Sequence, residues 1–392
     1  MGIGNRELVN MTRQATAPRL PSTVYCLLIC LILAACSGGW QTTIAGPGAT
    51  ETVITRTVWR DLREFAADDG SLPMERMLYA NGYTLIETLT LTTPEGVTRA
   101  FEWPAVAETA VWQPNGALIL GGETLRASRL TVKSPALANA VTASLTDIAP
   151  TAAAALGLPA PTQATGRALT DGRARHVLLL FLDGFGYLRY TEARDAGLVP
   201  TLTALGEPAI GLSEYPPSTA IATAVMLTGA PPAINGTVIR GTRATDAETL
   251  FDVAARAGLR VIAVEGDALA FNLRHAEVIL SGDRDGNGGT DDNVLANALA
   301  VLEDGMPDIL WVHFHGIDDA GHTYGLHTPE ESAAIAYVDA AVGKILAALA
   351  PDTRALIFAD HGMHSVQEEG RLGNHGNLIA QDMLVPVWVV VK

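Results

Sequence analysis

Six side chains of two chemical kinds stand where a chain of alternating strands and helices would gather its chemistry. Asp183 directly follows the apolar run His176–Leu182, and Asp318 and His322 are expected in the loop after residues 308–315. Asp360 and His361 follow residues 354–359, and His375 lies in Gly373-Asn374-His375-Gly376 ahead of the last apolar run. Carboxylate oxygens and imidazole nitrogens are donors that zinc accepts. A single Asp after a strand is often only a helix cap, and a lone His is often a satisfied buried ring. Independent caps have no reason to place three histidines beside three aspartates, whereas a two-metal site draws about six protein ligands from separate strand ends.

The elements that would position these residues are legible from texture. Continuous apolar runs at 176–182, 260–264, 308–314, 354–359 and 385–391 read as strands buried on both faces. Helical spacing marks 291–302 and 329–350, with Pro329 suited to a first turn. Such alternation predicts an α/β fold with a doubly wound, mainly parallel sheet, whose ligands gather at the carboxyl ends of its strands. Ahead of it, 83–92, a turn at 93–96, 97–103 and 117–120 read as short strands of a small β-rich region. The expected division is a leader at 1–35, a flexible tether at 36–50, the β-rich region at 51–130 and a catalytic domain at 131–392.

Phe181-Leu182-Asp183-Gly184-Phe185, Asp318-Asp319-Ala320-Gly321-His322, Ala359-Asp360-His361-Gly362-Met363 and Asn374-His375-Gly376 carry a specific resemblance. In this order they resemble the four metal-ligand motifs of the type I phosphodiesterase and nucleotide pyrophosphatase family, within the alkaline phosphatase superfamily. The resemblance covers residues 176–392. It implies two divalent metal ions, expected to be zinc, one held by Asp318, His322 and His375 and the other by Asp183, Asp360 and His361.

The family's nucleophile is a Thr or Ser at a helix start, nine residues before the Thr-Gly of a Thr-Gly-x-x-Pro turn; Thr228-Gly229-Ala230-Pro231-Pro232 supplies that turn and points to Thr219. Ser218 is the neighbouring alternative. A threonine hydroxyl is a poor nucleophile, but metal coordination favours its alkoxide and a helix N-terminus favours negative charge. The implied function is hydrolysis of small phosphate esters by in-line displacement through a phosphothreonine intermediate. A phosphomonoesterase or phosphonate hydrolase on the same scaffold is the alternative, and a non-catalytic, metal-binding surface lipoprotein is the reading from another class. The sulfatase branch needs Cys/Ser-x-Pro-x-Arg, which the stretch from Ser218 lacks. Phosphoethanolamine-type transferases usually carry several membrane spans, which this sequence does not show.

Two departures qualify the resemblance. Where the family carries an Asn that contacts a phosphoryl oxygen, this chain has Arg240, in Asn235-Gly236-Thr237-Val238-Ile239-Arg240. Facing the site, its fork would clamp two phosphoryl oxygens and suit a terminal monoester; facing solvent, it would have no such role. Secondly, Asp147-Ile148-Ala149-Pro150-Thr151, an alanine-rich helix and Thr165-Gly166-Arg167 look like the segment that follows the last strand in this superfamily, yet here they precede the first. The sequence also ends at Val391-Lys392, directly after the strand that would lead into that segment. The expected fold is therefore an alkaline-phosphatase-type sheet, circularly permuted, with 131–170 as the permuted segment.

Arg6, Arg13 and Arg19 precede the apolar run 24–35, which is too short for a comfortable membrane span. It ends in Leu33-Ala34-Ala35-Cys36, which resembles the lipobox of bacterial lipoproteins, so Cys36 is expected to carry lipid and hold the protein to a membrane of the cell envelope, outside the cytoplasm. Cys26, Cys30 and Cys36 are the only cysteines, which excludes a disulfide framework in the mature body. The net charge of −16, or −18 without residues 1–35, argues against nucleic acid as a partner. The run from Asp283 to Gly288 has the spacing of a calcium loop, but Val294 stands where a bidentate Glu is needed, so it reads as a solvated loop. His313, His315, His327 and His364 lie near the motifs with no role assigned.

Overall fold

The computed structural model describes residues 39–392 apart from 48, 285, 287 and 369. The expected leader, Cys36 and its lipid lie outside the described residues. The centre is an eight-stranded sheet in the spatial order Val141–Ser144, Ala209–Leu212, Leu384–Val391, Thr353–Phe358, His176–Leu182, Ile309–Phe314, Val261–Glu265, Glu277–Leu280. Leu384–Val391 runs antiparallel to both neighbours, and every other pairing is parallel. The chain is thus a mixed α/β fold on a mostly parallel sheet, as its texture predicts.

The innermost strands are the apolar runs, because only a place with neighbours on both edges and layers on both faces removes every side chain from water. Ile309–Phe314 and Thr353–Phe358 are buried along their whole length. Each buried Val, Leu, Ile or Phe there contributes about 1.5–3 kcal/mol. The register pairs Leu182 with Phe314 and Phe181 with Phe358, so three adjacent parallel strands end level. Asp183, His315 and Asp360 therefore leave the sheet along one edge.

Helices Asp291–Asp304 and Pro329–Ala348 fall where the spacing put them, the second with Pro329 in its first turn behind Thr328, whose hydroxyl accepts from the Glu331 N–H. Residues 141–167 belong to the same body. Val141–Ser144 is an edge strand of the central sheet, helix Ile148–Leu156 lies against helix Thr219–Thr228, and the Gly229 carbonyl accepts from the N–H groups of Thr165 and Gly166.

The β-rich region contains a five-stranded and a four-stranded sheet, with helices Arg56–Asp61 and Met74–Ala80. The tether expected at 36–50 is corrected here. Gln41–Ala45 is a strand, antiparallel to Thr52–Thr55 and parallel to Arg129–Lys133, with Ile44 fully buried. Its parallel partner lies far along the chain, so no local pattern could show the pairing. The boundary expected at 130 falls inside strand Arg129–Lys133 for the same reason. The region shares its core with the catalytic body, Leu78, Tyr83 and Trp103 belonging to one apolar cluster with Tyr215, Leu378 and Met383. Among the described residues, no helix is long and apolar enough to cross a membrane.

Candidate active site

At the level edge of the sheet the expected ligands converge. Donor atoms of Asp183, Asp360 and His361 lie within 4.8 Å of one another, as do those of Asp318, His361 and His375. His361 thus belongs to both groups, and its Nε2 is 3.6 Å from Asp183 and 3.1 Å from Asp360. His322 stands outside the tight grouping: its Nε2 is 3.1 Å from Asp318 Oδ2, with the Arg371 guanidinium 2.7 Å from the same nitrogen. Thr219 is the first residue of helix Thr219–Thr228, behind Ser218. Its hydroxyl lies 3.5 Å from both Asp183 Oδ1 and His361 Nε2. Ser218 Oγ is buried without a partner.

Gly184 makes the convergence possible. Its φ of +70° suits glycine, and a Cβ there would come within 2.8 Å of Asp318 Oδ1, so the turn after Asp183 can approach Asp318 only without a side chain.

Three of the histidines share one orientation. Nδ1 lies against a backbone carbonyl in each: 2.7 Å from Gly373 O in His322, 3.0 Å from Gly362 O in His361 and 2.9 Å from Pro217 O in His375. In His361 and His375 that contact favours the tautomer whose neutral Nε2 faces the carboxylates, the arrangement usual behind a metal-binding imidazole. In His322 burial opposes the cation, but Asp318 outweighs it and raises the ring, and Arg371 reaches both ring nitrogens. The charges agree. Burial, then neighbouring Asp318, pushes Asp183 well above the usual carboxylate range. Burial, then Asp183 and Asp318, does the same to Asp360. Burial holds His361 down to about 3 and His375 well below its ordinary value. Asp318 Oδ1 and Asp360 Oδ2 are buried with no hydrogen-bond partner. Crowded carboxylates with orphaned oxygens, beside imidazoles held neutral, fit divalent cations, which would supply the missing positive charge.

Several participating residues carried no assignment from sequence. His313 bridges Asp183 Oδ2 (3.1 Å) and Glu265 Oε2 (2.9 Å), and Trp311 Nε1 donates to the other Glu265 oxygen at 2.7 Å. Burial alone would raise Glu265, but His313 and then His315 outweigh it and hold the carboxyl at about 2. Donor atoms of Asp183, His313 and His315 also fall within 4.8 Å of one another. The available signal was alternation in Ile309–Phe314, which sends Trp311 and His313 to the same face of the sheet. Arg240 is an exposed residue, but its guanidinium is folded onto His375, donating to the carbonyl with Nη2 3.3 Å from Nδ1.

His364 joins the β-rich region to the loop that bears His375. Its ring lies 2.8 Å from Asp382 and 3.0 Å from Glu108, and Asp382 accepts from the N–H groups of Gly376 and Asn377. Burial opposes the His364 cation, but Asp382 and Glu108 raise it to about 9. Burial likewise pushes nearby Glu75 up to about 8. Both groups hold protons in the folded chain that the unfolded chain has released, so stability must fall with rising pH. Glu75 acts from its ordinary 4.5 to about 8; the His364 contribution is complete below 6.5 and lost as pH passes about 9. We expect urea unfolding to show a loss of about 3 kcal/mol from His364 across its window, and His364→Gln to flatten the slope there. An unchanged slope in the variant would refute the assignment.

Comparison with known proteins places this geometry. The family model described as Type I phosphodiesterase / nucleotide pyrophosphatase matches residues 177–388, more than half of the chain. The catalytic subunit of GPI ethanolamine phosphate transferase 3 from Homo sapiens is 27% identical over 101 residues, 26% of this chain and 8% of that protein. The Mus musculus counterpart is 33% identical over 73 residues, 19% of this chain and 7% of that protein. The chain thus spans less than a tenth of the length of these curated relatives. Among solved structures, phosphonoacetate hydrolase from Sinorhizobium meliloti 1021 is 22% identical, with a TM-score of 0.41 over 54% of this chain and 61% of that one. Murine ectonucleotide pyrophosphatase / phosphodiesterase 5 is 12% identical, with a TM-score of 0.43 over 56% of this chain and 88% of that one. The match to the family model spans the four ligand motifs and the helix that begins at Thr219, and the chain belongs to the type I phosphodiesterase / nucleotide pyrophosphatase family of enzymes acting on phosphate esters.

Proposed function

We propose that the protein is a phosphodiesterase using two divalent cations, expected to be zinc, and Thr219 as nucleophile. The observation that carries this reading is the shared orientation of His322, His361 and His375, each with Nδ1 on a carbonyl and Nε2 turned to buried carboxylates. Asp183, Asp360 and His361 would hold one cation, and Asp318, His375 and His322 the other, with Arg371 drawing back from His322. Bound there, the cations supply the charge that stabilises the attacking and departing oxygens.

The chain's own residues do the positioning. Helix Thr219–Thr228 presents the Thr219 hydroxyl at its N-terminus, where negative charge is favoured, and Asp183 Oδ1 is a nearby acceptor for its proton at 3.5 Å. The new bond runs from Thr219 Oγ1 to phosphorus as the P–O bond to the leaving ester oxygen breaks, and the alcohol departs with the proton that Thr219 gave up. Water then opens the phosphothreonine, returning the hydroxyl. His313, held by Glu265, fixes the Asp183 carboxylate for this work.

Arg240 beside His375 favours a second reading, a phosphomonoesterase, because a guanidinium there could clamp two of the three terminal oxygens of a monoester phosphate. Turnover of bis(p-nitrophenyl) phosphate and p-nitrophenyl phosphate separates the two. The phosphodiesterase reading expects faster diester turnover, with Arg240→Ala costing both substrates less than about tenfold. Faster monoester turnover, lost by about 100-fold in Arg240→Ala, would establish the phosphatase instead. We also propose that Cys36 carries lipid and holds the enzyme in the cell envelope, on the strength of Leu33-Ala34-Ala35-Cys36. Radiolabelled palmitate should enter the wild type and not Cys36→Ser; equal labelling of both would refute the anchor.

A further inference from the structure

A cleft of about 590 Å³ opens beside His375, between the β-rich region and the catalytic face. Its walls come from both, with Phe65, Arg76 and Glu108 on one side and Tyr215, Arg240 and Asn377 on the other. Arg76 is held with unusual firmness for a surface cation. Its guanidinium is 4.3 Å from the Phe65 ring centroid and 5.0 Å from that of Tyr215, and Nη2 donates to Val238 O at 3.2 Å. Aromatic contact occupies the guanidinium faces and leaves its edge of N–H donors, five in all, mostly for other partners.

The carboxylates around this cleft do not ion-pair closely with that charge. Among the described residues, neither Arg76 nor Arg240 pairs with a carboxylate within 4.0 Å. Glu75 is spent on the Leu378 N–H at 2.6 Å and Trp103 Nε1 at 3.3 Å, and burial pushes it up to about 8, so it is largely uncharged at neutral pH. Glu108 is turned to His364 and Asn374, and Glu64 is exposed. A protein of net charge −16 has thus placed two guanidiniums without a close ion pair at the mouth of its candidate metal site, with Glu64 acting on Arg76 only through space.

We propose that this cleft is an anion subsite, in which Arg76, with Arg240, receives a carboxylate or phosphate carried on the second substituent of the substrate phosphorus. The inference rests on the phosphodiesterase reading and deepens it: the β-rich region selects the substrate, and the preferred diesters carry an anion beyond the scissile phosphate. Arg76 is then a specificity-determining residue, and Phe65 and Tyr215 position it.

The test uses the full-length, zinc-loaded protein and p-nitrophenyl phosphodiesters that differ only in the other ester arm. The arms are propyl, 3-aminopropyl, 2-carboxyethyl and 2-phosphoethyl, the last two separating carboxylate from phosphate. We expect kcat/KM for at least one anionic arm to exceed that for propyl by about tenfold or more, and 3-aminopropyl to be the poorest. Arg76→Met should remove the preference, and Arg76→Lys should keep part of it. Equal turnover of propyl and both anionic arms, a preference for 3-aminopropyl, or a preference that survives Arg76→Met would overturn the proposal while leaving the phosphodiesterase reading intact. An equal loss on every arm in Arg76→Met would make Arg76 a brace between the two regions, which also overturns it. No turnover of any arm would remove the phosphodiesterase reading, and this inference with it.

Discussion

Thr219→Ala should lower turnover of the preferred phosphate ester by about 10³–10⁵-fold while leaving the fold and cation binding largely in place. Alanine is the best helix former, so helix Thr219–Thr228 loses nothing at its first position. Thr219 makes no capping bond that the helix needs, since Ser218 occupies the cap position. What disappears is the one hydroxyl that lies 3.5 Å from both Asp183 Oδ1 and His361 Nε2. Thr219→Ser keeps that oxygen and should recover most of the activity. If Ser218 were the nucleophile, its own substitution would be the lethal one and Thr219→Ala would remain active. Circular dichroism with steady-state kinetics on the three variants decides between them.

The second large effect is expected from Asp360→Asn. Asp360 Oδ1 accepts from the N–H groups of Gly184 and His361, contacts an amide oxygen can keep. Asp360 Oδ2 has no hydrogen-bond partner and lies 3.1 Å from His361 Nε2. Replacing it with NH₂ removes a charge and aims a donor at the place a cation would occupy. We expect one bound metal equivalent to be lost and turnover to fall by about 10³-fold or more. The sign of the stability change should differ between metal-free and metal-loaded protein. Without metal, a crowded buried carboxylate is relieved, so Asp360→Asn should match or exceed the wild type in Tm. With metal, the wild type gains from binding and the variant gains less. An increment on adding zinc equal to that of the wild type would remove Asp360 from the metal site.

The central sheet was legible because its strands are long and uniformly apolar, and the level strand ends followed once they were parallel neighbours. Asp183, Asp360 and His361 were legible for the same reason, their places being tied to where each strand stops. Asp318 and His322, expected in a loop, instead stand on helix Gly316–Tyr324, and His375 follows the hairpin strand Arg371–Asn374. Gln41–Ala45 was not legible, because its pairing with Arg129–Lys133 depends on residues far away in the chain. Arg76 and Glu108 were hidden for a related reason: nothing in a local pattern says that a helix and a turn of the β-rich region will face His375. His313 was visible only as a histidine near the motifs and Glu265 drew no assignment, because their role comes from lying on adjacent parallel strands with polar side chains turned to one point. Side-chain orientation was invisible too. The sequence marked His322, His361 and His375, but only the fold shows each Nδ1 resting on a carbonyl.

The most direct test of the central claim is stepwise zinc titration of the metal-free, full-length protein, reading bound metal and bis(p-nitrophenyl) phosphate turnover in the same samples. A two-cation phosphodiesterase predicts that turnover is absent without metal and rises to a plateau at two equivalents per chain. Full turnover by the metal-free protein, or saturation with zinc that brings no turnover of any phosphate ester, would contradict it.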